Sequence, residues 1–297
     1  MGKIKQSKRR ALYYKLKETR NQIRNYFYTR KDSNSAAHKV EYLNNSAEKE
    51  LCIAIAFNTP WTIDLLINSW QHYCKETRLL VADNSNNCEA SEAIRKICET
   101  KNISYIKIPM NPVRHPSRSH GLALNWTWRN IVAKLKHLER VGFIDHDCYP
   151  IKPCKPNYIS DTFALGILKP CWIENSPAIN FWAGFLFFAS RSELRLDQFK
   201  FNFLPDALNG LDTGGKNWQR VYKHLNASDV SKAKSRTISA QEFFKTESIN
   251  EKWSLQLIEE SFIHVSGVSH KQELETFGRN DICRLLRERI SVDELTS

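Results

Sequence analysis

No apolar stretch of this chain is long enough to cross a bilayer. The longest, Phe181–Ala189, has nine residues, whereas a spanning helix needs about 20. The N-terminus is polar and lacks the apolar core of a secretory signal, so the expected location is the cytoplasm, with peripheral contact to a membrane surface as the variant. None of the eight cysteines pairs in C-x-x-C spacing, which excludes zinc-ribbon and dithiol redox motifs. Cys52, Cys148 and Cys171 sit inside apolar stretches, and reduced, partly buried thiols are expected. A Gly-rich phosphate loop and a G-x-G-x-x-G fingerprint are both missing, which argues against P-loop NTPases and Rossmann dehydrogenases. Acids are nearly missing from residues 1–31, where eleven Lys or Arg face one acid, Glu18. That balance of +10 leaves +2 of the chain's +12 for everything else.

What remains is an ordinary globular composition. With 41% hydrophobic and 26% charged residues over 297 positions, the chain can bury a full core. The basic arm carries Leu12, Leu16, Ile23 and Phe27 at spacings of four, seven and four, which predicts one helical face. Such a helix packs its stripe on the main domain, lies on an anionic membrane surface, or binds nucleic acid non-specifically; nucleic acid is the least favoured of the three. Lys31 to Glu50 is polar and reads as a linker. The expected division is 1–48 for arm and linker, 49–275 for the main domain and 276–297 for a helical tail.

From Leu51 the pattern alternates. Strands are predicted at Leu51–Phe57, Arg78–Ala82 and Ser104–Pro109, with helices at Trp61–Tyr73, Glu89–Thr100 and Gly121–Leu138. This order implies a mostly parallel α/β sheet flanked by helices. In such sheets ligands bind beyond the carboxyl ends of the strands. Further strands are expected at Thr162–Leu168 and Phe181–Ala189, and a polar helix at Arg279–Val292.

The segment Val141-Gly-Phe-Ile-Asp-His-Asp-Cys-Tyr-Pro-Ile151 carries the clearest chemistry. A short apolar run ends in two carboxylates, Asp145 and Asp147, and strand alternation would set them on one face about 6.5–7 Å apart at Cα. Buried acids need a cation or donors to compensate them. Paired oxygen ligands suit Mg²⁺ or Mn²⁺, with phosphate oxygens in the remaining positions. The bland alternative is a solvated turn. Asn58 and Asp83 also fall at strand ends, which brings three polar features to one sheet edge.

Asp83, then Ser119-His-Gly-Leu-Ala-Leu-Asn125, then Phe143-Ile-Asp-His-Asp147, in this order, resemble the GT-A glycosyltransferases, near the family 2-like group, over about residues 50–270. The resemblance implies a GT-A (Rossmann-like) fold and transfer of a sugar from a nucleoside-diphosphate sugar to a hydroxyl acceptor, either glycan or lipid-linked. It implies that Asn58 and Thr59 line the nucleotide pocket and that Asp83 bonds the base or ribose. Asp145 would reach the ribose or a metal-bound water, and Asp147 would hold the Mn²⁺ or Mg²⁺. His264, in Ser261-Phe-Ile-His-Val-Ser-Gly267, would complete the metal shell, with His270 in reserve.

Arg114, His115, Arg118 and His120 crowd the start of the Gly121 helix, where cations and a helix N-terminus suit phosphate. Asp212, in the turn Asn209-Gly-Leu-Asp-Thr-Gly-Gly215, is the candidate catalytic base, with Asp206 and Glu174 as alternatives. Family members more often draw the base from an acidic pair. No Glu-Asp or Asp-Asp pair follows Asp147 here, so inversion is favoured only slightly over retention. Trp172, Phe181, Trp182 and Phe185 form a candidate sugar-stacking platform, or a core strand. Two rivals stand beside this expectation: a nucleotidyltransferase or nucleotide-sugar hydrolase on the same fold, and a non-catalytic binding protein recruited by its arm.

Overall fold

The computed structural model describes residues 2–31, 33–47, 49–154, 162–173, 176–191, 193–244, 254–265 and 288. The helix expected at Arg279–Val292, the 276–297 tail, His270 and Glu174 lie outside the described residues or, at position 288, in a single helical residue.

Two helices come first, α1 (Gly2–Tyr28) and α2 (Asn34–Asn45). An alternation follows of β1 (Glu50–Ala56), α3 (Pro60–Tyr73), β2 (Arg78–Asp83), α4 (Cys88–Thr100), β3 (Ser104–Lys107), α5 (Pro116–Asn130) and β4 (Arg140–Asp145). Short β5 (Cys148–Pro150) precedes the long pair β6 (Ala164–Ile173) and β7 (Ser176–Ala189). Last come α6 (Asn217–Arg220), β8 (Val230–Lys232), β9 (Ser235–Ser239), α7 (Ala240–Phe244), β10 (Ser254–Ile258) and β11 (Phe262–His264).

The main sheet runs β3-β2-β1-β4-β7-β6-β8. Its first four strands are parallel, as the buried apolar runs required, and β4–β7 and β6–β7 are antiparallel. Strands β1, β2 and β4 read as continuous apolar runs because helices cover both faces. One face carries Cys52, Ala54, Leu79 and Val81 toward α3 and α4, and the other carries Ile53, Ile55, Leu80 and Phe143 toward α5. A second sheet, β5-β11-β10-β9, is antiparallel and joins the first at the turn after β4.

Register decides where chemistry can sit. Ile55 lies opposite Asp145, and Ala56 opposite Asp83. The carboxyl ends of β1, β2 and β4 therefore form one edge.

Three expectations change. Lys31–Glu50 is not a linker: Ser33 caps α2 by accepting from the Ala36 N–H at 3.3 Å, and Ala36 and Leu43 are buried. The Gly121 helix begins earlier, with Pro116 in its first turn, and ends at Asn130. Against the reduced-thiol expectation, Cys74 at the end of α3 and Cys154 after β5 stand with Cα atoms 5.5 Å apart, within reach of a disulfide. Their separation of 80 residues carries no local signal.

The arm docks through polar groups, not through its apolar stripe. Tyr28 donates to the Pro109 carbonyl (2.8 Å), Asn125 to the Asn25 side chain (2.7 Å) and Asn130 to the Thr29 carbonyl (3.0 Å). Glu18 pairs with Lys216 at 2.5 Å. Gly121 explains how α5 fits beneath: a Cβ there would stand 2.5 Å from the Phe203 carbonyl oxygen. Asn125 accepts from the Phe203 N–H (2.7 Å) while holding Asn25 and Asn202. The Gly-x-Ala-x-Asn segment thus serves helix packing.

Candidate metal and nucleotide site

Strand β4 stops at Asp145, and His146–Asp147 form a turn into β5. The two acids therefore do not share one strand face. They converge because the turn folds Asp147 back and β11 pairs with β5, setting His264 opposite Cys148. A backbone bond from the Val265 N–H to the Asp147 carbonyl (2.9 Å) fixes that approach. One ligand atom from each of Asp145, Asp147 and His264 lies within 4.8 Å of the others.

The donor set fits a divalent cation. Asp147 and His264 are buried, while Asp145 is half-buried and open to a further ligand. His264 Nε2 stands 3.4 Å from Asp147 Oδ1, and its Nδ1 is 3.3 Å from Gln256 Oε1. An Nδ1–H donated to Gln256 leaves Nε2 to carry either a proton or a metal. Burial alone would lift the Asp147 carboxyl, but the hydrogen bond and charge of His264 outweigh it and hold its pKa below the usual range. Burial alone would lower His264, but the Asp147 hydrogen bond and the charges of Asp147 and Asp145 raise it. Without a cation each group favours the charged form of the other. A divalent ion would take the proton's place.

Strand β7 shapes the opposite wall. Gly166 of β6 faces Leu186 and Leu168 faces Phe181, so Trp182–Phe185 stand opposite Ile167 alone. This bulge re-aims the strand beside the acids. Trp182 lies against the His264 ring, centroids 4.6 Å apart. A Cβ on Gly184 would be 2.3 Å from Asp145 Oδ2, so only glycine admits the carboxylate there. A cavity of about 390 Å³ adjoins His264, with Lys169, Trp182, Thr237 and Gln256 in its wall. The four-aromatic platform does not form, because Phe181 and Phe185 are fully buried in the core and Trp172 is exposed.

The remaining predicted residues divide. Asn58 adopts a left-handed φ of 53° and clamps the loop after β2, accepting from the Asn86 and Asn87 N–H groups at 3.1 Å each. Thr59 is buried at the N-terminus of α3, donating to the Phe57 carbonyl at 3.0 Å and accepting from Thr62 at 2.9 Å. Asp83 is fully buried and accepts from the Ser85 N–H (2.8 Å), Ser91, Tyr105 (3.0 Å) and Lys107 (3.0 Å). Burial opposes its ionisation, but these donors and Lys107 prevail and keep its pKa below the usual range. In this conformation Asn58 and Asp83 build the loop after β2, and their polar atoms are already engaged.

Arg118 is half-buried in the first turns of α5. On the same helix, His120 Nε2 lies 3.7 Å from Asp145 Oδ1. Asp212 is exposed and accepts from the Thr213 N–H at 2.8 Å. Partial desolvation of its carboxyl by the surrounding turn is outweighed by hydrogen bonds from Ser117 and the Thr213 N–H and by the charges of Lys169 and His120, which lower its pKa. Asp206 is committed to its own turn, accepting from the Leu208 N–H (3.2 Å) and Asn209 (2.7 Å). Lys169, which no motif marked, lies within electrostatic reach of both His264 and Asp212.

No family model and no curated protein matches the sequence. Solved structures with a similar fold are glycosyltransferases. The galactosyltransferase LgtC, in complex with donor and acceptor sugar analogues, is 12% identical, covering 80% of this chain and 95% of that one at a TM-score of 0.41. The bifunctional WbbM is 11% identical over 48% of this chain and 31% of its own, at 0.33. The mannosyltransferase PcManGT from Pyrobaculum calidifontis, with GDP-Man and Mn²⁺, is 12% identical over 52% and 53%, at 0.32. The chain thus spans about a third to a half of the length of several structures it matches. Likeness at this distance concerns the fold alone; the chemistry rests on the site itself.

Proposed function

We propose that this chain is a metal-dependent glycosyltransferase that moves a sugar from a nucleoside-diphosphate sugar to a hydroxyl acceptor. The observation that carries the proposal is the convergence of Asp145, Asp147 and His264 within 4.8 Å at the carboxyl edge of the parallel strands. The acceptor is a glycan or lipid-linked hydroxyl, inversion is favoured, and residues 1–31 attach the enzyme peripherally to an anionic membrane.

Sugar transfer expels a nucleoside diphosphate, and negative charge grows on its β-phosphate oxygen as the bond breaks. A bound Mn²⁺ or Mg²⁺ supplies Lewis-acid stabilisation of that charge. Asp147 and His264 would hold the ion, and Asp145 would take part directly or through the ribose. Lys169 adds positive charge around the same space, His120 stands beside Asp145, and Arg118 lies on the same helix as His120. Asp83 and Asn58 set the loop that meets the base, with Thr59 behind it.

On the acceptor side, Asp212 takes the hydroxyl proton as that oxygen attacks the anomeric carbon. Its lowered pKa keeps it ionised at neutral pH and therefore able to accept a proton. The cations that lower it also make it a modest base. That suits a proton which becomes acidic only as the new bond forms.

A thermal-shift screen of UDP, GDP, CDP and dTDP, with and without Mn²⁺, tests the donor site. At least one diphosphate should raise the melting temperature only with metal, and Asp147→Ala should abolish the shift. Equal stabilisation with and without Mn²⁺, or none with any of the four, removes the basis of the proposal.

A further inference from the structure

We propose that α1 is a membrane-docking helix whose outward face rests on a bilayer rich in anionic lipid. This develops the peripheral-attachment part of the function above and does not depend on the transfer chemistry.

The helix presents two unlike faces. Glu18, Asn25, Tyr28 and Thr29 turn inward, and each contacts the domain through a polar bond. Leu12, Leu16, Ile23 and Phe27 lie roughly 180° round the helix from that face, at about 100° per residue. Their exposures are 58%, 63%, 52% and 67%. A helix that hides polar groups and shows water its leucines has its apolar partner elsewhere.

Charge identifies that partner. Residues 1–31 hold eleven basic residues and one acid, and the acid, Glu18, is held inward against Lys216. Among the described side chains of α1, the outer face carries no acid. The basic surface continues onto the domain: a groove of about 650 Å³ beside α1 is lined by Arg30, Arg129, Lys200 and Arg220 together with Trp128 and Phe201, with no carboxylate among the described lining residues.

An anionic lipid surface satisfies both features at once, because acyl chains take the stripe and headgroup phosphates take the flanking cations. Nucleic acid would use the charge and leave the leucines wet. A second copy would bring two arms of like charge together. Glu18 of the docked helix pairs with Lys216, which directly follows the turn of Asp212, so membrane attachment is tied to the acceptor-side loop.

The test is flotation of the full chain with vesicles of phosphatidylcholine alone or with 30% phosphatidylglycerol, at two salt concentrations. Binding to the anionic vesicles should exceed the neutral ones at least tenfold and weaken at high salt. Leu16→Glu with Phe27→Glu should lower it tenfold or more while the melting temperature holds, since both side chains are mostly exposed, at 63% and 67%. Should that variant unfold, Arg20→Gln with Arg24→Gln serves, with the same loss expected.

Equal binding to both vesicles, no flotation, or unaltered binding by both variants overturns the proposal. So does salt-sensitive binding to a single-stranded oligonucleotide without vesicle binding, or a dimer in size-exclusion chromatography that the stripe variant dissolves. Metal-dependent nucleotide stabilisation, read on the same variants, should be unchanged, so a failure of docking is distinguishable from a failure of the donor site.

Discussion

Replacing Gly184 by alanine probes the site without removing any proposed ligand. The added methyl would stand 2.3 Å from Asp145 Oδ2 and 2.3 Å from Trp182 Cζ2. Ordinary contact begins near 3.4 Å, so one neighbour must move by about 1 Å. Trp182 is held against His264, and β7 is fixed to β4 by register, which leaves the half-buried Asp145 carboxylate as the group most easily displaced.

Overpacking of this kind costs about 1–3 kcal/mol. If the strain appears mainly as displacement of Asp145, affinity for a Mn²⁺–diphosphate falls by about 5- to 150-fold. Calorimetric titration of the cognate diphosphate in Mn²⁺ measures it, beside a metal-free melt that reports the strain itself. Gly210→Ala is the control: it has φ 69° and open space around it, and should cost about 1 kcal/mol of stability while sparing affinity. Wild-type affinity in Gly184→Ala would refute the placement of Asp145 in the site.

Lys169→Met should raise the donor KM about tenfold or more, as expected for loss of a charge-assisted contact, and steady-state kinetics decide; an unchanged KM assigns Lys169 to the surface. Without metal, the raised His264 pKa stabilises the fold fully below its ordinary 6.5, and that contribution fades as pH rises through the raised value. The lowered Asp147 pKa contributes above 3.8 and is lost as pH falls through the depressed value. Metal-free urea stability should therefore gain most from this pair at about pH 4–6.5, and His264→Gln should flatten the profile; parallel profiles would count against the pair. Glu18→Ala leaves Lys216 uncompensated and should cost about 3 kcal/mol in urea unfolding, and a loss near zero would mean the arm is held by its hydrogen bonds alone.

The parallel half of the sheet was legible because β1, β2 and β4 are buried on both faces and their sequences have to be apolar runs. Asp145 and Asp147 were legible because carboxylates interrupt such a run only at its end. His264 followed from the resemblance, while its approach depends on pairing between β5 and β11 across more than a hundred residues. Trp182 was marked only as part of an aromatic platform and Gly184 not at all, since a bulge depends on register with β6 and not on local composition. Amphipathic spacing in α1 identified the stripe but not which face would pack. That was decided by Asn125, Asn130 and Lys216 on the domain, polar partners that a stripe of leucines cannot satisfy. In α2, Ser33 supplied a cap that the polar composition concealed.

The most direct measurement is a Mn²⁺ titration followed by electron paramagnetic resonance, with and without the stabilising nucleoside diphosphate. One tight site per chain should form, strengthened by the diphosphate, weakened at least tenfold in His264→Ala and lost in Asp147→Ala. A stoichiometry near zero, or one tight site that survives both substitutions, would contradict a metal centre at Asp145, Asp147 and His264.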